Sequence, residues 1–295
     1  MVTDWNARGY ADDYSKTNTP PHYFYQERMT LVLRLLSQVG SGGILDVGCG
    51  PGMYAKPCVE RGLKYTGFDL SRQMIEEARR RFGDLPNVEF LNGDAGVLPF
   101  PTDSFDGVLC LGVLEYVSQK DEAVYLKELA RVTKPGGMII FSFLNARSPA
   151  WLLTDYVSPM IKFSSRNSAA SIRKFTVEKQ SKVLHRAGLS VVGKSYFASN
   201  ILPPVLGRRL PHHTVWLSSK LEPLLRTPLS GWLAMAFVLA AEKPESGLIV
   251  EATPHRRTLP DRKVLESQES PVIPCLQAHR TAAANMWTEA ARKQR

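Results

Sequence analysis

From residue 41 to residue 143 the chain repeats one motion: a short, almost wholly apolar run, a turn, then a segment whose apolar residues recur at helical spacing. The apolar runs are Gly43–Val47, Lys64–Leu70, Asn87–Leu91, Ser104–Leu111 and Lys134–Phe141, too short for helices and bounded by Gly, Pro, Asn or Asp. Between them Met53–Arg61, Ser71–Phe82 and Asp121–Val132 read as helices, the second opening on a serine cap. Strands that alternate with helices in this way pair in parallel, with helices on both faces. Ahead of this unit, Asp4–Tyr14 suits a short amphipathic helix with Tyr10 and Tyr14 one turn apart. Pro20-Pro21 is expected to break the chain, and His22–Leu36 reads as a helix with Tyr23, Met29, Val32, Leu33 and Leu36 inward. After residue 145 the alternation stops. It resumes with a helix over Thr176–Ala187, a sixth strand over Leu189–Tyr196 and a seventh ending Phe237–Lys243, the rival for the last being a surface helix over Pro228–Ala241.

The chemistry concentrates where the first strand turns. Asp46-Val47-Gly48-Cys49-Gly50-Pro51-Gly52 removes Cβ at three positions where backbone must bend sharply and lets a ligand lie against the main chain. A dinucleotide fingerprint reads G-x-G-x-x-G so that a helix start faces a pyrophosphate. Here the order is D-x-G-x-G-x-G, and a carboxylate at Asp46 repels phosphate but suits an ammonium. S-adenosylmethionine is a ligand of that charge. Asp69 ends the second strand, where a carboxylate accepts both hydroxyls of a ribose. An NAD site uses the same device, so Asp69 does not discriminate, and each acid taken alone also reads as a cap for the helix behind it.

The series Asp46 to Gly52, Asp69-Leu70, Asp94-Ala95 with Leu98-Pro99-Phe100, and Lys134-Pro135-Gly136-Gly137 before the fifth strand resembles the class I S-adenosylmethionine-dependent methyltransferases over roughly residues 40 to 145. That resemblance implies an α/β, Rossmann-like doubly wound sheet of seven strands, six parallel and the last antiparallel, with N-terminal cap helices and a lid insertion. It implies S-adenosyl-L-methionine as cofactor, held by Asp46, Gly48, Cys49, Gly50, Gly52, Asp69, Leu70, Asp94, Ala95 and Leu111, with Asp94-Ala95 at the adenine. The expected divisions are cap helices over 1–40, the cofactor-binding core over 41–145, a lid over 146–188, the last two strands over 189–243 and a disordered tail over 244–295.

Charge sharpens the picture of the lid. Residues 1–144 hold 15 Lys and Arg against 18 Asp and Glu, residues 145–226 hold 13 against 3, and residues 227–295 hold 9 against 7, so the net charge of +9 arises in one segment. There basic residues interleave with Trp151, Tyr156, Met160, Ile161 and Phe163. Such a segment suits a hydrophobic acceptor with an anionic part, or one collected from an anionic membrane surface. The N-terminus carries no secretory h-region, and the longest apolar run, Leu229–Ala241, spans 13 residues against the roughly 20 needed to cross a bilayer. With four unpaired-looking cysteines these features suggest a cytoplasmic protein with at most peripheral membrane contact. Cys49 and Cys110 read as buried small apolar residues. The Arg79-Arg80-Arg81 triplet reads as a solvated helix end and gives no case for nucleic acid.

Leu111–Val117 and Phe141–Leu153 look like the corresponding segments of the ubiquinone-pathway O-methyltransferases, which carry E-x-x-E-H after the fourth strand and S-T-L-N-R with W-L after the fifth. In those enzymes the acidic motif is implicated in binding a divalent cation. Here Gly112 and Tyr116 replace two of its positions and only Glu115 remains, so no metal is expected and catechol methylation is in doubt. Glu115 and Tyr116 are the catalytic candidates, by orienting or deprotonating an acceptor, with a pocket-wall role as the alternative. Tyr10, Tyr14, Asn145, Arg147 and Trp151 are the candidates for touching substrate. No Asn/Asp-Pro-Pro-Tyr follows the fourth strand, which argues for a small or lipid-like acceptor, O-methylation being favoured. An NAD-dependent oxidoreductase and a methyltransferase-like binding protein without activity stand as rivals.

Overall fold

The computed structural model describes residues 19–157, 172–198 and 211–245, all within one compact unit that spans Met1–Thr253. Helix α1 (Pro20–Leu36) leads into β1 (Gly43–Val47), α2 (Ala55–Val59), β2 (Lys64–Asp69), α3 (Arg72–Phe82), β3 (Val88–Asn92), β4 (Phe105–Leu111), α4 (Glu122–Val132) and β5 (Thr133–Leu144). Then come α5 (Pro149–Val157), α6 (Val177–Arg186), β6 (Ser190–Phe197), α7 (Pro211–Leu221), a 3-10 turn (Glu222–Arg226), α8 (Ser230–Leu233) and β7 (Ala236–Glu242). The expected helix over Asp4–Tyr14, with Tyr10 and Tyr14, and the tail beyond residue 245 lie outside the described residues.

One seven-stranded sheet runs in the order β3-β2-β1-β4-β5-β7-β6. Strands β1 to β5 pair in parallel, and β7 lies antiparallel between β5 and β6. The sheet is therefore the doubly wound, six-parallel and one-antiparallel arrangement expected. The rival helix over 228–241 is not what forms: Ala236–Glu242 is a buried strand, with only the four-residue α8 before it. Its residues AFVLAAE are buried on both faces because β5 flanks one edge and β6 the other, which a continuous apolar run tolerates and a one-sided surface helix does not. Phe141, Phe143, Phe237 and Leu239 from the two strands join Leu126 and Leu129 of α4 in one core. Fully burying each such side chain contributes about 1.5–3 kcal/mol.

The proline pair also behaves differently from expectation. Pro20-Pro21 opens α1 instead of breaking the chain before it, because the first helical turn has no intrahelical use for the missing N–H groups. Thr19 caps this start through its hydroxyl, which accepts from His22 N at 3.3 Å. Ser71 and Thr176 cap α3 and α6 in the same manner.

Because β1, β2, β4 and β5 run parallel, their carboxyl ends emerge on one edge of the sheet. The order reverses between β1 and β4, which opens a crevice there.

Candidate functional site

A cavity of about 500 Å³ occupies that crevice. Its floor is the strand ends: Val47, Gly48 and Gly50 after β1, Asp69 and Leu70 after β2, Gly93 and Ala95 after β3, Leu111 to Val113 after β4. Its roof is gathered from far along the chain, with Tyr23, Phe24, Tyr25 and Arg28 of α1, Trp151 of α5, Thr214 and Ser218 of α7, and Met235.

The glycine loop is shaped for close approach. Gly48, Gly50 and Gly52 have φ of +71°, +53° and +76°, the left-handed region that L side chains rarely adopt. A Cβ on Gly48 would strike Val113 Cγ2, and one on Gly52 would lie 2.8 Å from the Phe90 ring. Gly48 and Gly50 wall the cavity, while Gly52 lets the loop fold back onto β3. Asp69 fixes the loop: its Oδ2 accepts from Gly50 N and its Oδ1 from Ser71 N, both at 2.8 Å. A carboxylate has about four acceptor positions, so two remain for a diol at the cavity wall. Burial raises its pKa, and the two backbone N–H groups oppose that rise.

Asp46 stands deeper, 2% exposed, and accepts a 2.6 Å bond from Tyr65 Oη. It borders a second chamber of about 30 Å³, room for about one water, walled also by Arg28, Gly48, Cys49, Gly50, Tyr54 and Leu111. Burial pushes its carboxyl up to about 7, with the Tyr65 hydrogen bond and Arg28 pulling the other way. Asp94 is exposed, and its Oδ1 accepts from Gly96 N at 2.8 Å and from Tyr125 Oη at 2.6 Å. Its neighbours Gly93 and Ala95, with Tyr125, reach the cavity wall.

Glu115 and Tyr116 both face the cavity. Glu115 is 3% exposed and its Oε2 has no hydrogen-bond partner among the described residues. Desolvation lifts its pKa to about 7, opposed by backbone N–H groups and by the charges of Arg28 and Arg173. Burial pushes the Tyr116 hydroxyl up to about 12, with the Glu115 charge adding to it. Among the described residues no three His, Cys, Asp or Glu gather as metal ligands would.

The substrate candidates divide. Trp151 lines the cavity, and its Nε1 donates to Met235 O at 2.9 Å. Asn145 is buried behind the wall, where Nδ2 donates to Gly231 O and Ala234 O and Oδ1 accepts from Arg147 N. Arg147 pairs with Glu178 on α6 and does not border the cavity. One residue went unnoticed in the sequence. Arg28, 7% exposed, carries its guanidinium over the Tyr25 ring and lines both the cavity and the small chamber, its charge opposing the rise of the Asp46 and Glu115 carboxyls. Its signal was a charge at the head of the apolar stripe Val32, Leu35, Leu36.

The family described as methyltransferase domain matches residues 45–141, the stretch from the first strand to the fifth. Residues 45–141 are thus similar to a methyltransferase domain. The chain is 36% identical over 110 residues to a demethylmenaquinone methyltransferase of Renibacterium salmoninarum, covering 37% of this chain and 44% of that protein. A ubiquinone biosynthesis O-methyltransferase of Alkalilimnicola ehrlichii is 29% identical over 184 residues, covering 60% of this chain and 73% of the relative. The chain thus spans less than half of one of these curated relatives and about three quarters of the other. The magnesium protoporphyrin IX methyltransferase of Synechocystis PCC 6803, solved with bound SAH, superposes with a TM-score of 0.59 at 16% identity, over 82% of this chain and 98% of that one, a likeness of fold. The bare glycine loop, with Asp46 ahead of it and Asp69 bound to Gly50 N, has the shape and charge to take S-adenosyl-L-methionine, the cofactor the sequence resemblance implies.

Proposed function

We propose that the protein transfers a methyl group from S-adenosylmethionine to a hydroxyl of a small, largely apolar acceptor. The observation that carries this reading is the single cavity that joins the Gly48–Gly50 loop and Asp69 at one end to a chamber of Tyr23, Phe24, Phe143, Trp151 and Met235 at the other, with Glu115 between them. When bound, the cofactor supplies an electrophilic methyl group on a cationic sulfur. Asp69 would hold the ribose hydroxyls, Asp46 the ammonium through the small chamber, and Arg28 the carboxylate of the methionine end. Glu115, with its free Oε2, would take the acceptor proton, and Tyr116 would orient the acceptor. Alignment and exclusion of water in such a chamber can contribute about 7–11 kcal/mol to lowering the barrier. The names of the relatives, a demethylmenaquinone and a ubiquinone-pathway methyltransferase, support an acceptor with a ring and an apolar tail.

The rim of the roof supports delivery from an anionic bilayer. Leu152 on α5 and Leu229 and Trp232 around α8 are more than half exposed; Asn145 after β5 bonds Gly231 O of α8, and Trp151 of α5 bonds Met235 O just beyond it. Leu152 lies within, and Leu229 and Trp232 directly follow, the stretch 145–226 with its 13 basic and 3 acidic residues. Among the described residues no helix is long and apolar enough to cross a membrane.

Calorimetry with S-adenosylhomocysteine and NAD tests the donor end, and transfer of labelled methyl into a set of phenolic and polyprenylated quinol acceptors tests the other. The reading expects binding of the first ligand alone and label in an ether product. Absence of S-adenosylhomocysteine binding would overturn it. Cosedimentation is expected with anionic vesicles and not with neutral ones; equal recovery with both would remove the bilayer.

A further inference from the structure

Glu115 sits on a loop, and a loop does not by itself hold a carboxyl at a fixed point in a cavity. What fixes this one comes from a segment more than fifty residues further along. Arg173 N donates to Glu115 O at 3.0 Å, and Arg173 Nη1 donates to Val117 O at 2.9 Å, so one residue grips the loop on both sides of Tyr116. The grip is itself anchored. Nη2 pairs with Glu122 Oε2 at 2.6 Å, and the other Glu122 oxygen accepts from Gln180 Nε2 at 2.8 Å, both partners being buried. The guanidinium also lies over the Phe175 ring at 4.8 Å, while Phe175 N donates to Leu144 O and Ala146 N to Phe175 O, which sews the segment to the end of β5. Neighbouring Ile172 lines the cavity.

We propose that Arg173 is a positioning residue that sets the Glu115–Val117 backbone, and through it the Glu115 carboxyl, against the acceptor chamber. The inference rests on the reading of Glu115 given above. Arg173 touches neither the glycine loop nor Asp69, so its effect is confined to the acceptor side. A merely structural arginine would loosen every element it touches; a positioning one changes the loop and the Glu115 environment first. The groups acting on that environment are Arg28 from α1, Arg173, Tyr116 beside it and Cys110 of β4.

The test needs no acceptor. Arg173→Met and Arg173→Lys are compared with wild type by hydrogen exchange, by the carbon-13 resonance of Glu115 in protein labelled at the glutamate side-chain carboxyl (assigned with Glu115→Gln), and by S-adenosylhomocysteine calorimetry. In Arg173→Met the Tyr116 amide, bonded to Val113 O, should exchange at least tenfold faster while β1 and β4 amides hold their rates, the Glu115 resonance should move, and S-adenosylhomocysteine affinity should stay within twofold. Both variants keep the backbone N–H that holds Glu115 O; Arg173→Lys also keeps the charge, so it should restore part of both changes, and it serves if the methionine variant does not fold. Wild-type exchange and resonance in both variants would overturn the proposal, and so would uniform acceleration across the sheet. Failure of wild-type protein to bind S-adenosylhomocysteine would instead strike the proposed function and leave the exchange comparison standing.

Discussion

Two buried carboxyls make the molecule's response to acid unusual. Asp46 and Glu115 are both lifted to about 7 by burial. In the unfolded chain they titrate near 4, so between pH ~4.5 and ~7 the folded state holds protons that the unfolded state has released. Stability from these groups is full at low pH and falls as pH rises to about 7, by about 1.4 kcal/mol per unit for each group titrating. Urea midpoints measured at pH 5 and 7 should show that fall, and Asp46→Asn and Glu115→Gln should each flatten it. Methyl transfer should follow the opposite course and rise through pH ~7 as Glu115 ionises, a limb that Glu115→Gln abolishes. At the glycine loop, Gly48→Ala combines a φ of +71° with a Cβ aimed at Val113. A cost of about 1–3 kcal/mol and at least a tenfold loss of S-adenosylhomocysteine affinity are expected, by denaturation and calorimetry. At this scale the acids at the crevice, Asp46 and Asp69, were legible as carboxylates ending apolar runs beside glycines, whereas Asp94, expected at an adenine, is exposed and leaves the cavity wall to Gly93 and Ala95. Arg28 was not legible, because a charge on a helix reads as solvated until the helix is known to roof a cavity.

Among elements, the junction of β5, α5, α8 and β7 holds the acceptor half together. Asn145 looked like a substrate contact in the sequence; its amide instead bonds carbonyls 86 and 89 residues away. Separations of that size follow from β7 entering between β5 and β6, and nothing in the local pattern around Asn145 announces it. Asn145→Ala strands two buried carbonyls and removes the tie to Arg147 N, so a loss of roughly 2–4 kcal/mol is expected by urea titration, with S-adenosylhomocysteine affinity changed less than threefold. The strands themselves were readable, from Gly43–Val47 through Ala236–Glu242, because each is a short apolar run between turn residues. The start of α1 was misjudged for the converse reason: proline breaks a helix everywhere except in the turn where this one begins.

For the molecule as a whole, the donor binds only the folded state, so S-adenosylhomocysteine at a hundred times its Kd should add about 2.7 kcal/mol to unfolding, read as a rise in the denaturant midpoint. Asp69→Ala should abolish that increment by removing the loop tether along with the proposed ribose acceptor. The family and fold could be read from residues 43–141 because that half of the site is written in order along the chain. The acceptor half could not, since its walls come from α1, α5, α7 and the start of β7, which meet only in three dimensions.

That division has a consequence for descent. The floor of the cavity is one unbroken stretch of text, and its roof is a patchwork of distant phrases. A lineage built on this plan can rewrite the roof, and with it the proposed acceptor, while leaving untouched the passage proposed to grip the methyl source.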